Sequence, residues 1–258
     1  MQIKPVNTFL GLGLILLATA VPPAHAQTMP GTLAEEVYMT VKDGHQAEFE
    51  SAARAHAQVR AAHGDPRHWD VYTPVTGENL NLYIFRACCF AWKDQDAYLA
   101  WEDSNPEVMA DWANNAHQHV ESYTRYFDDM DLANSHWPDD DKPVNYIGVM
   151  EYFVAAGHGA TWAATKAQLS QVALNQGWSA AGHRWAWTDR IGGEALTALA
   201  VPFENFAAMQ QGGETFIEFL IDHMGEEAAM ELQRQFAASI SSSKYTILKY
   251  RSDLAAQQ

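Results

Sequence analysis

The chain repeats itself once, and this repeat is the feature that most restricts its fold. The run from Val37 to His45 recurs in residue type and order from Met150 to His158. The same offset then relates Phe49 to Trp162. A repeat of this length corresponds to a whole small domain and not to the short unit of a solenoid. The sequence therefore predicts two similar domains in tandem.

Residues 1–26 have the pattern of a secretory signal peptide. Lys4 is the only charged residue before an apolar run from Phe9 to Val21, and Ala24-His25-Ala26 supplies the small-x-small pattern that signal peptidase recognises. The run is shorter than the roughly 20 residues of a membrane helix. We expect cleavage after Ala26, export to a periplasmic or extracellular space, and no membrane association afterwards. An uncleaved N-terminal anchor is the alternative.

The charge and the missing motifs exclude several classes of function. The formal net charge of −16 repels nucleic acid phosphates and anionic lipid, so we expect neither as a partner. The sequence has no G-x-S-x-G elbow, no phosphate-binding loop and no G-x-G-x-x-G motif, which removes the common hydrolase, nucleotide and dinucleotide signatures. It also lacks C-x-x-C-H, so a covalent haem is excluded.

Cysteine is nearly absent. Only Cys88 and Cys89 occur, next to each other in a strand-like run, so no disulfide framework can form within the chain. We interpret them as two small hydrophobic residues packed in a sheet. A vicinal disulfide or an intermolecular bridge is the alternative.

Periodicity and turn residues predict the order β-α-β-β-α-β in each half. In the second half, the region between the hairpin and the closing strand is longer, and we expect two helical pieces interrupted near Gly225. The elements predicted for the first half are strand Glu36 to Val41, helix Gly44 to Ala62, strands His68 to Thr73 and Leu80 to Trp92, helix Pro106 to Val120, and strand Ser122 to Phe127.

The predicted boundaries are a signal peptide at 1–26, a first repeat at 33–128, a linker at 129–143 and a second repeat at 144–253. The linker is rich in aspartate, which is the ligand type that calcium prefers. Its spacing does not follow a calcium loop, so we interpret it as a solvated acidic segment and assign no metal.

This order predicts an α+β protein built from two tandem ferredoxin-like βαββαβ repeats. Each predicted antiparallel sheet has helices on one side only, and its other side needs a cover. We expect the two sheets to pack face to face. With Val41 to Phe49 and its counterpart Val154 to Trp162, each half resembles a domain of the dimeric α/β-barrel superfamily, which includes antibiotic biosynthesis monooxygenase-like proteins. The resemblance implies an intramolecular dimeric α/β barrel, present as a monomeric pseudo-dimer or as a homodimer.

The resemblance also implies a ligand pocket between the sheet and the helices of each half. Members of that superfamily include cofactor-free oxygenases, haem-degrading oxygenases, haem peroxidases and chlorite-dismutase-like proteins. A non-covalent haem is therefore one cofactor that the resemblance allows, but the sequence itself leaves the cofactor unknown. The fold alone does not fix the function.

Four residues of the first half are candidate pocket residues. Trp112 and His119 lie seven positions apart on the second predicted helix and so share a face, with Asn115 nearby. His56 lies on the core face of the first predicted helix. Such a set could bind haem, act as a general base or orient an aromatic substrate. Histidines bonded to backbone carbonyls in the core would give the same pattern.

The hairpin of the second half gives three more candidates, His183, Trp185 and Trp187, which alternate onto one strand face. Matching histidine to histidine places His68 at the position equivalent to His183. An aromatic stripe of this kind is either a platform for a flat ligand or core packing.

Glu151 is a further residue that departs from its surroundings, since it lies in an otherwise apolar strand. It is paired with Arg184 or Arg190, acts as a base of raised pKa, or points to solvent at a sheet edge.

Three functions stay open from the sequence. The first is an exported protein that binds a small apolar or aromatic molecule. The second is a cofactor-free or haem-dependent oxygenase-like enzyme that uses His56, Trp112 and His119. The third is an envelope scaffold whose extra helix in the second half is a contact surface.

Overall fold

The computed structural model describes residues 31–138, 142–210 and 212–255, so the predicted signal peptide lies outside the described residues. The described residues form eight strands and six α-helices. The strands are β1 (Leu33–Val41), β2 (Asp70–Pro74), β3 (Leu82–Phe90), β4 (Val120–Met130), β5 (Tyr146–Val154), β6 (Ala186–Ile191), β7 (Leu196–Phe203) and β8 (Ile240–Tyr250). The helices are α1 (Gln46–Ala62), α2 (Trp92–Ser104), α3 (Pro106–Asn115), α4 (Gly159–Asn175), α5 (Phe216–Met224) and α6 (Glu226–Ala238).

The predicted fold class, two ferredoxin-like repeats packed sheet to sheet, is wrong. The eight strands form one closed antiparallel barrel in the order β1-β3-β2-β8-β5-β7-β6-β4. The two halves meet edge to edge, because β2 pairs with β8 and β4 pairs with β6. Closure removes the unpaired strand edges that two separate sheets would each expose.

The helices differ from the prediction in two places and agree with it in another. The predicted helix Pro106 to Val120 ends at Asn115, and Val120 already begins β4. Trp92–Ser104 forms α2, which the sequence analysis missed, and a kink at Asn105 separates it from α3. In the second half, the predicted break between two helical pieces is confirmed. Thr215 caps the start of α5 by accepting a hydrogen bond from the backbone nitrogen of Glu218, and Gly225 ends this helix at φ +85°.

The main hydrophobic cores lie between the outer face of the barrel and the helices. In the first half, Phe49 and Ala53 of α1 pack against Met39, Val41 and Tyr83. In the second half, two adjoining clusters centre on the α4 residues Leu169 and Trp162. Because strand residues alternate between faces, the neighbours of these core residues point into the barrel.

Each closing strand continues into a segment that covers the other half. After β8, the Arg251 backbone nitrogen donates to the Val71 carbonyl at 2.7 Å, and Leu254 is buried in the first-half core. After β4, the Asn134 carbonyl accepts the indole N–H of Trp185 at 2.7 Å. Of the predicted acidic linker, residues 129–130 are therefore strand and residues 134–136 pack on the second half, whereas residues 139–141 lie outside the described residues.

No helix among the described residues is both long enough and apolar enough to cross a membrane.

Candidate functional site

The first half contains a cavity of about 550 Å³ between the outer face of the barrel and helices α1, α2 and α3. Ligand pockets commonly have volumes of roughly 300–1,000 Å³, so this one is large enough for a bicyclic or tricyclic molecule. The apolar part of its wall includes Val37, Met39, Phe85, Met109, Trp112 and Leu254. Charged and polar side chains gather at one end.

His56 is the buried imidazole of this wall. Its Nδ1 lies 2.9 Å from a carboxylate oxygen of Asp111, and its side chain is 7% exposed. Burial lowers the pKa of His56 below its usual value, against the opposing effect of the hydrogen bond that the ring donates to Asp111, so the ring is neutral at pH 7. A neutral ring that donates from Nδ1 to a carboxylate keeps a lone pair on Nε2.

Asp111 is itself held in place. Asn115, one helical turn further along α3, donates from its side-chain nitrogen to the other Asp111 oxygen at 2.7 Å. The three side chains form a chain of hydrogen bonds from Asn115 through Asp111 to His56. Such a chain fixes the orientation and the tautomer of an imidazole.

Arg60 lies beside His56 on the next turn of α1. One guanidinium nitrogen, Nη1, is 3.5 Å from His56 Nε2, and Nε donates to Asp65 at 2.5 Å. The third nitrogen donates to the Tyr98 hydroxyl of α2. The guanidinium also lies over the rings of Trp69 and Trp101. These contacts fix a cation whose Nη1 donates to the Nε2 lone pair of His56.

A second arginine is neutralised deeper in the wall. Arg67 and Glu35 form an ion pair in which both side chains are nearly fully buried, and Arg67 also donates to Gln95 at 2.5 Å. Arg125 contacts the other oxygen of Glu35 at 2.6 Å. With Arg60 paired to Asp65 as well, the buried arginines of the wall each have a carboxylate partner.

Two buried polar atoms in the same wall have no hydrogen-bond partner. They are the Nδ1 atom of His68 and the indole Nε1 of Trp69, and both residues line the cavity. Proteins rarely leave such atoms unpaired, because each costs about 1–3 kcal/mol. Both atoms are enclosed by protein, so a molecule in the cavity does not reach them.

The structure brings together some of the predicted site residues. His56 and Trp112 both line the cavity, with ring centroids 5.0 Å apart. Asn115 lies one hydrogen bond behind His56, through Asp111. His119 is not in the cavity wall, and its Nδ1 lies 3.0 Å from that of His45 at the start of α1.

The structure places the second-half candidates in packed surroundings. Trp185 and Trp187 belong to the second-half core, and Trp187 donates to the Ser170 hydroxyl at 3.0 Å. The His183 ring stacks on Trp178 at 3.7 Å. The space that is a cavity in the first half is filled by aromatic rings in the second.

The assumed equivalence of His68 and His183 is wrong by one residue. On the core face of the hairpin, Val71 pairs with Phe85 in the first half and Trp187 pairs with Leu199 in the second. The structural counterpart of Trp187 is therefore Val71. A slip of one residue in a strand exchanges its two faces.

Glu151 faces the barrel interior, where its carboxylate lies 3.8 Å from an Arg190 nitrogen. Pairing with Arg190 was one of the predicted alternatives and is confirmed. The two cysteines form a disulfide and are exposed, so the interpretation of Cys88 and Cys89 as two small hydrophobic residues packed in a sheet is wrong, and the alternative of a vicinal disulfide is the one that the structure has.

Sequence analysis missed five polar residues of the wall. Arg60 and Arg67 carry no motif, Tyr98 lies on a helix that was not recognised, and Asp111 precedes the noted Trp112. Glu35 lies just before the predicted start of the first strand. The one available signal was the spacing of Asp111 and Asn115, because residues four apart lie on the same helical face.

Comparisons with known proteins identify the fold. A scan against protein-family models finds no match, and a search of curated proteins finds no similar sequence. Among solved structures, a proposed monooxygenase of Lactobacillus acidophilus has 9% identity and a TM-score of 0.54, covering 88% of this chain and 97% of its own. A proposed monooxygenase of Fusobacterium nucleatum has 11% identity and a TM-score of 0.54, covering 86% of this chain and 94% of its own.

A haem-binding protein from Thermus thermophilus has 9% identity and a TM-score of 0.46, covering 87% of this chain and 93% of its own. At these identities the similarity extends to the fold alone. The chain is thus similar in fold to the two proposed monooxygenases along nearly their whole length.

Proposed function

We propose that the protein binds a small, mainly apolar aromatic molecule in the first-half cavity. The observation that carries this proposal is a cavity of about 550 Å³ with an apolar wall and a polar end. Binding sites for small molecules combine these features, with few polar groups that fix the orientation of the ligand.

Binding of the neutral fluorophore N-phenyl-1-naphthylamine tests this proposal. We expect saturable binding at about one molecule per chain and dissociation in the micromolar range. Ala57→Trp places a large side chain in the cavity from α1 and should abolish binding. Ala55→Trp, on the exposed side of the same helix, is the matched control and should bind like the natural protein. Circular dichroism confirms that both variants fold. Non-saturable binding, or equal binding by both variants, would overturn the proposal.

An oxygenase is the second candidate function. The similarity in fold to two proposed monooxygenases, each with a TM-score of 0.54, supports it, as does an oriented imidazole in the cavity wall. An oxygen electrode can test it with 1-naphthol as the probe. Oxygen consumption that requires the protein and is lost in His56→Ala would establish this function. If the probe binds but no oxygen is consumed, the protein is a binding protein and the oxygenase proposal is wrong.

The described residues fit a haem poorly. The Nε2 atom of His56 is the natural iron ligand in the wall, but the Arg60 guanidinium lies 3.5 Å from it, in the region that an iron would occupy. The free nitrogen of His68 is enclosed by protein. The proposed function therefore involves no haem.

We further propose that the protein is exported and acts without a partner chain. The signal-like pattern of residues 1–26 supports export. A barrel closed within one chain supports a monomer, because no strand edge needs a second copy.

A further inference from the structure

A second, smaller cavity lies beside the first-half cavity. We call it the polar groove; its volume is about 350 Å³, and it is lined by Arg54, Ala57, Gln58 and Ala61 of α1 and by Asp253 and Ala255 of the segment after β8. Ala57 and Ala61, one helical turn apart, also line the first-half cavity. The two spaces therefore share a wall along one flank of α1, and the shared side chains are single methyl groups.

The second half closes the corresponding flank of α4. The repeat relates Leu174 of α4 to Ala61 of α1, and Leu174 packs on the aromatic core of that half. It also relates Gln171 to Gln58, and the Gln171 amide donates to the Ala133 carbonyl at 3.1 Å, which ties α4 to the segment after β4. Gln58 makes no hydrogen bond to any other described residue. The open groove and the open cavity therefore occur together, in the first half.

We propose that the polar groove holds the uncharged polar tail of the molecule whose apolar body occupies the first-half cavity. The ligand is then an amphipathic aryl compound, with hydroxyl, ether or amide groups in its tail. This inference rests on the proposed function, because it extends the same cavity, and it specifies the class of ligand.

The charges around the polar groove favour a neutral tail. Asp253 accepts from two nitrogens of Arg251 at 2.8 Å each and lies 3.3 Å from Arg54. Glu50 accepts from Arg251 at 2.7 Å and lies 3.7 Å from Arg54. The two arginines and the two carboxylates thus balance one another, so a charged tail would meet no uncompensated opposite charge. A hydroxyl or an ether oxygen can instead pair with the Gln58 amide and with outward N–H groups of Arg54.

The exposure of the polar groove also suits a tail that prefers water. The side chains of Arg54 and Asp253 are 44% and 51% exposed. An amphipathic ligand would remove its aryl body from water in the cavity while its tail keeps contact with solvent. The volume of the groove lies near the lower end of the range for small-molecule pockets, which suits a group of the size of one sugar ring.

Two naphthalene ethers test the proposal through their displacement of N-phenyl-1-naphthylamine, followed by fluorescence. The first, 2-naphthyl β-D-glucopyranoside, has a neutral tail with four hydroxyl groups. The second, 2-methoxynaphthalene, has the same aryl ether without this tail. We expect the protein to bind the glucoside about 10-fold more tightly, which corresponds to one or two net hydrogen bonds.

Three variants show whether the polar groove causes this preference. Gln58→Ala removes the groove amide and should lower the preference by about 3-fold, with binding of 2-methoxynaphthalene unchanged. Ala61→Leu introduces the residue of the second half and should abolish the preference. Gln171→Ala, at the position equivalent to Gln58, is the matched control and should keep it. Gln58 is exposed, so its variant should fold even if Ala61→Leu does not, and circular dichroism checks both.

The outcomes separate this inference from the proposed function. If the glucoside binds no more tightly than 2-methoxynaphthalene, the polar groove takes no tail, and the inference is overturned while the binding function stands. The same holds if Gln58→Ala keeps the full preference for the glucoside. If N-phenyl-1-naphthylamine itself does not bind, the proposed function fails and this inference fails with it.

Discussion

Asp128 on β4 lies directly opposite Arg190 on β6, and this pair spans a seam where the two halves of the barrel join. The Asp128 carboxylate is 3.4 Å from the Arg190 Nε atom, and both side chains are largely buried. Arg190 also contacts Glu36 of β1 and Glu151 of β5. The guanidinium of Arg190 therefore contacts carboxylates from three strands inside the barrel.

Three carboxylates share the single guanidinium of Arg190. We therefore predict that the free energy of unfolding depends on pH through the titration of Asp128. Burial, and then the nearby charge of Glu36, raise the pKa of Asp128 from 3.8 to about 7. Because the folded protein holds this proton more tightly than the unfolded chain, the group favours folding at low pH. That contribution is lost as the pH rises from about 4 to about 7.

Asp128→Asn should remove this pH dependence. Between pH 5 and pH 8, we expect the free energy of unfolding of the natural protein to fall relative to that of the variant by about 2 kcal/mol. Urea unfolding at several pH values measures the difference. Asp129→Asn, at the exposed next position, is the control and should follow the natural protein. A natural protein whose stability rises over this range relative to Asp128→Asn would contradict the prediction.

In the second half, aromatic side chains fill the space that corresponds to the first-half cavity. We predict that a smaller side chain at Trp187 would open a cavity there. Trp187 occupies the position that Val71 holds in the first half, and it packs with Trp162 and Tyr152. Trp187→Val should cost about 3–5 kcal/mol, the usual cost of a large deletion in a core. The space created should bind indole, since apolar cavities made by such deletions take up small aromatic molecules.

Thermal unfolding with and without indole tests this second cavity. We expect indole to raise the melting temperature of Trp187→Val more than that of the natural protein. Trp92→Ala removes an exposed tryptophan and should change the unfolding free energy by less than about 1 kcal/mol. An equal effect of indole on both proteins would mean that the core collapses around the shorter side chain.

The comparison of the two halves also explains what the sequence could and could not predict. Periodicity located α1, α4 and the break at Gly225, because amphipathic spacing and glycine turns are local signals. It missed α2, whose apolar residues lack a regular helical spacing and which therefore gives no clear face. Tyr98 of the cavity wall was missed with it.

Closure of the barrel could not be predicted from local pattern. The seams are short, from Tyr72 to Pro74 on β2 and from Phe127 to Met130 on β4, and no residue type there marks an edge that will pair. A pocket between sheet and helices was expected in both halves, but the contrast between the open first half and the filled second half was not, for a related reason. Matching His68 to His183 moved the hairpin by one residue, so the contrast between Val71 and Trp187 was hidden.

The disulfide between Cys88 and Cys89 predicts that the protein has no free thiol before reduction and two after it. Cys88 and Cys89 are joined within one chain, so the protein should form no covalent dimer. Alkylation followed by mass spectrometry should label no thiol before reduction and both thiols after it. A dimer on a gel run without reductant, or labelling without reduction, would contradict the pairing.

The proposed signal peptide predicts the mass of the mature protein. Cleavage after Ala26 leaves Gln27 as the first residue. Mass spectrometry of protein recovered from the envelope and from the medium of an expressing cell should give the mass of residues 27–258. A chain that keeps residues 1–26 and stays with the membrane fraction would instead support the uncleaved anchor.

Residues 251–255, which follow β8 of the second half, pack against the first half. We therefore predict that they stabilise the first half and its cavity. Leu254 is 1% exposed and belongs both to the first-half core and to the cavity wall. Arg251 fixes the position of this segment through an ion pair with Glu50 at 2.7 Å.

Leu254→Ala should lower the free energy of unfolding by about 2–5 kcal/mol, the usual cost of replacing a buried leucine by alanine. It should also weaken binding of N-phenyl-1-naphthylamine, because an apolar wall contact is lost. Leu132→Ala, at a leucine that is 57% exposed, is the matched control for urea unfolding and for binding. If Leu254→Ala destabilises the protein no more than this control does, the terminal segment is not part of the core.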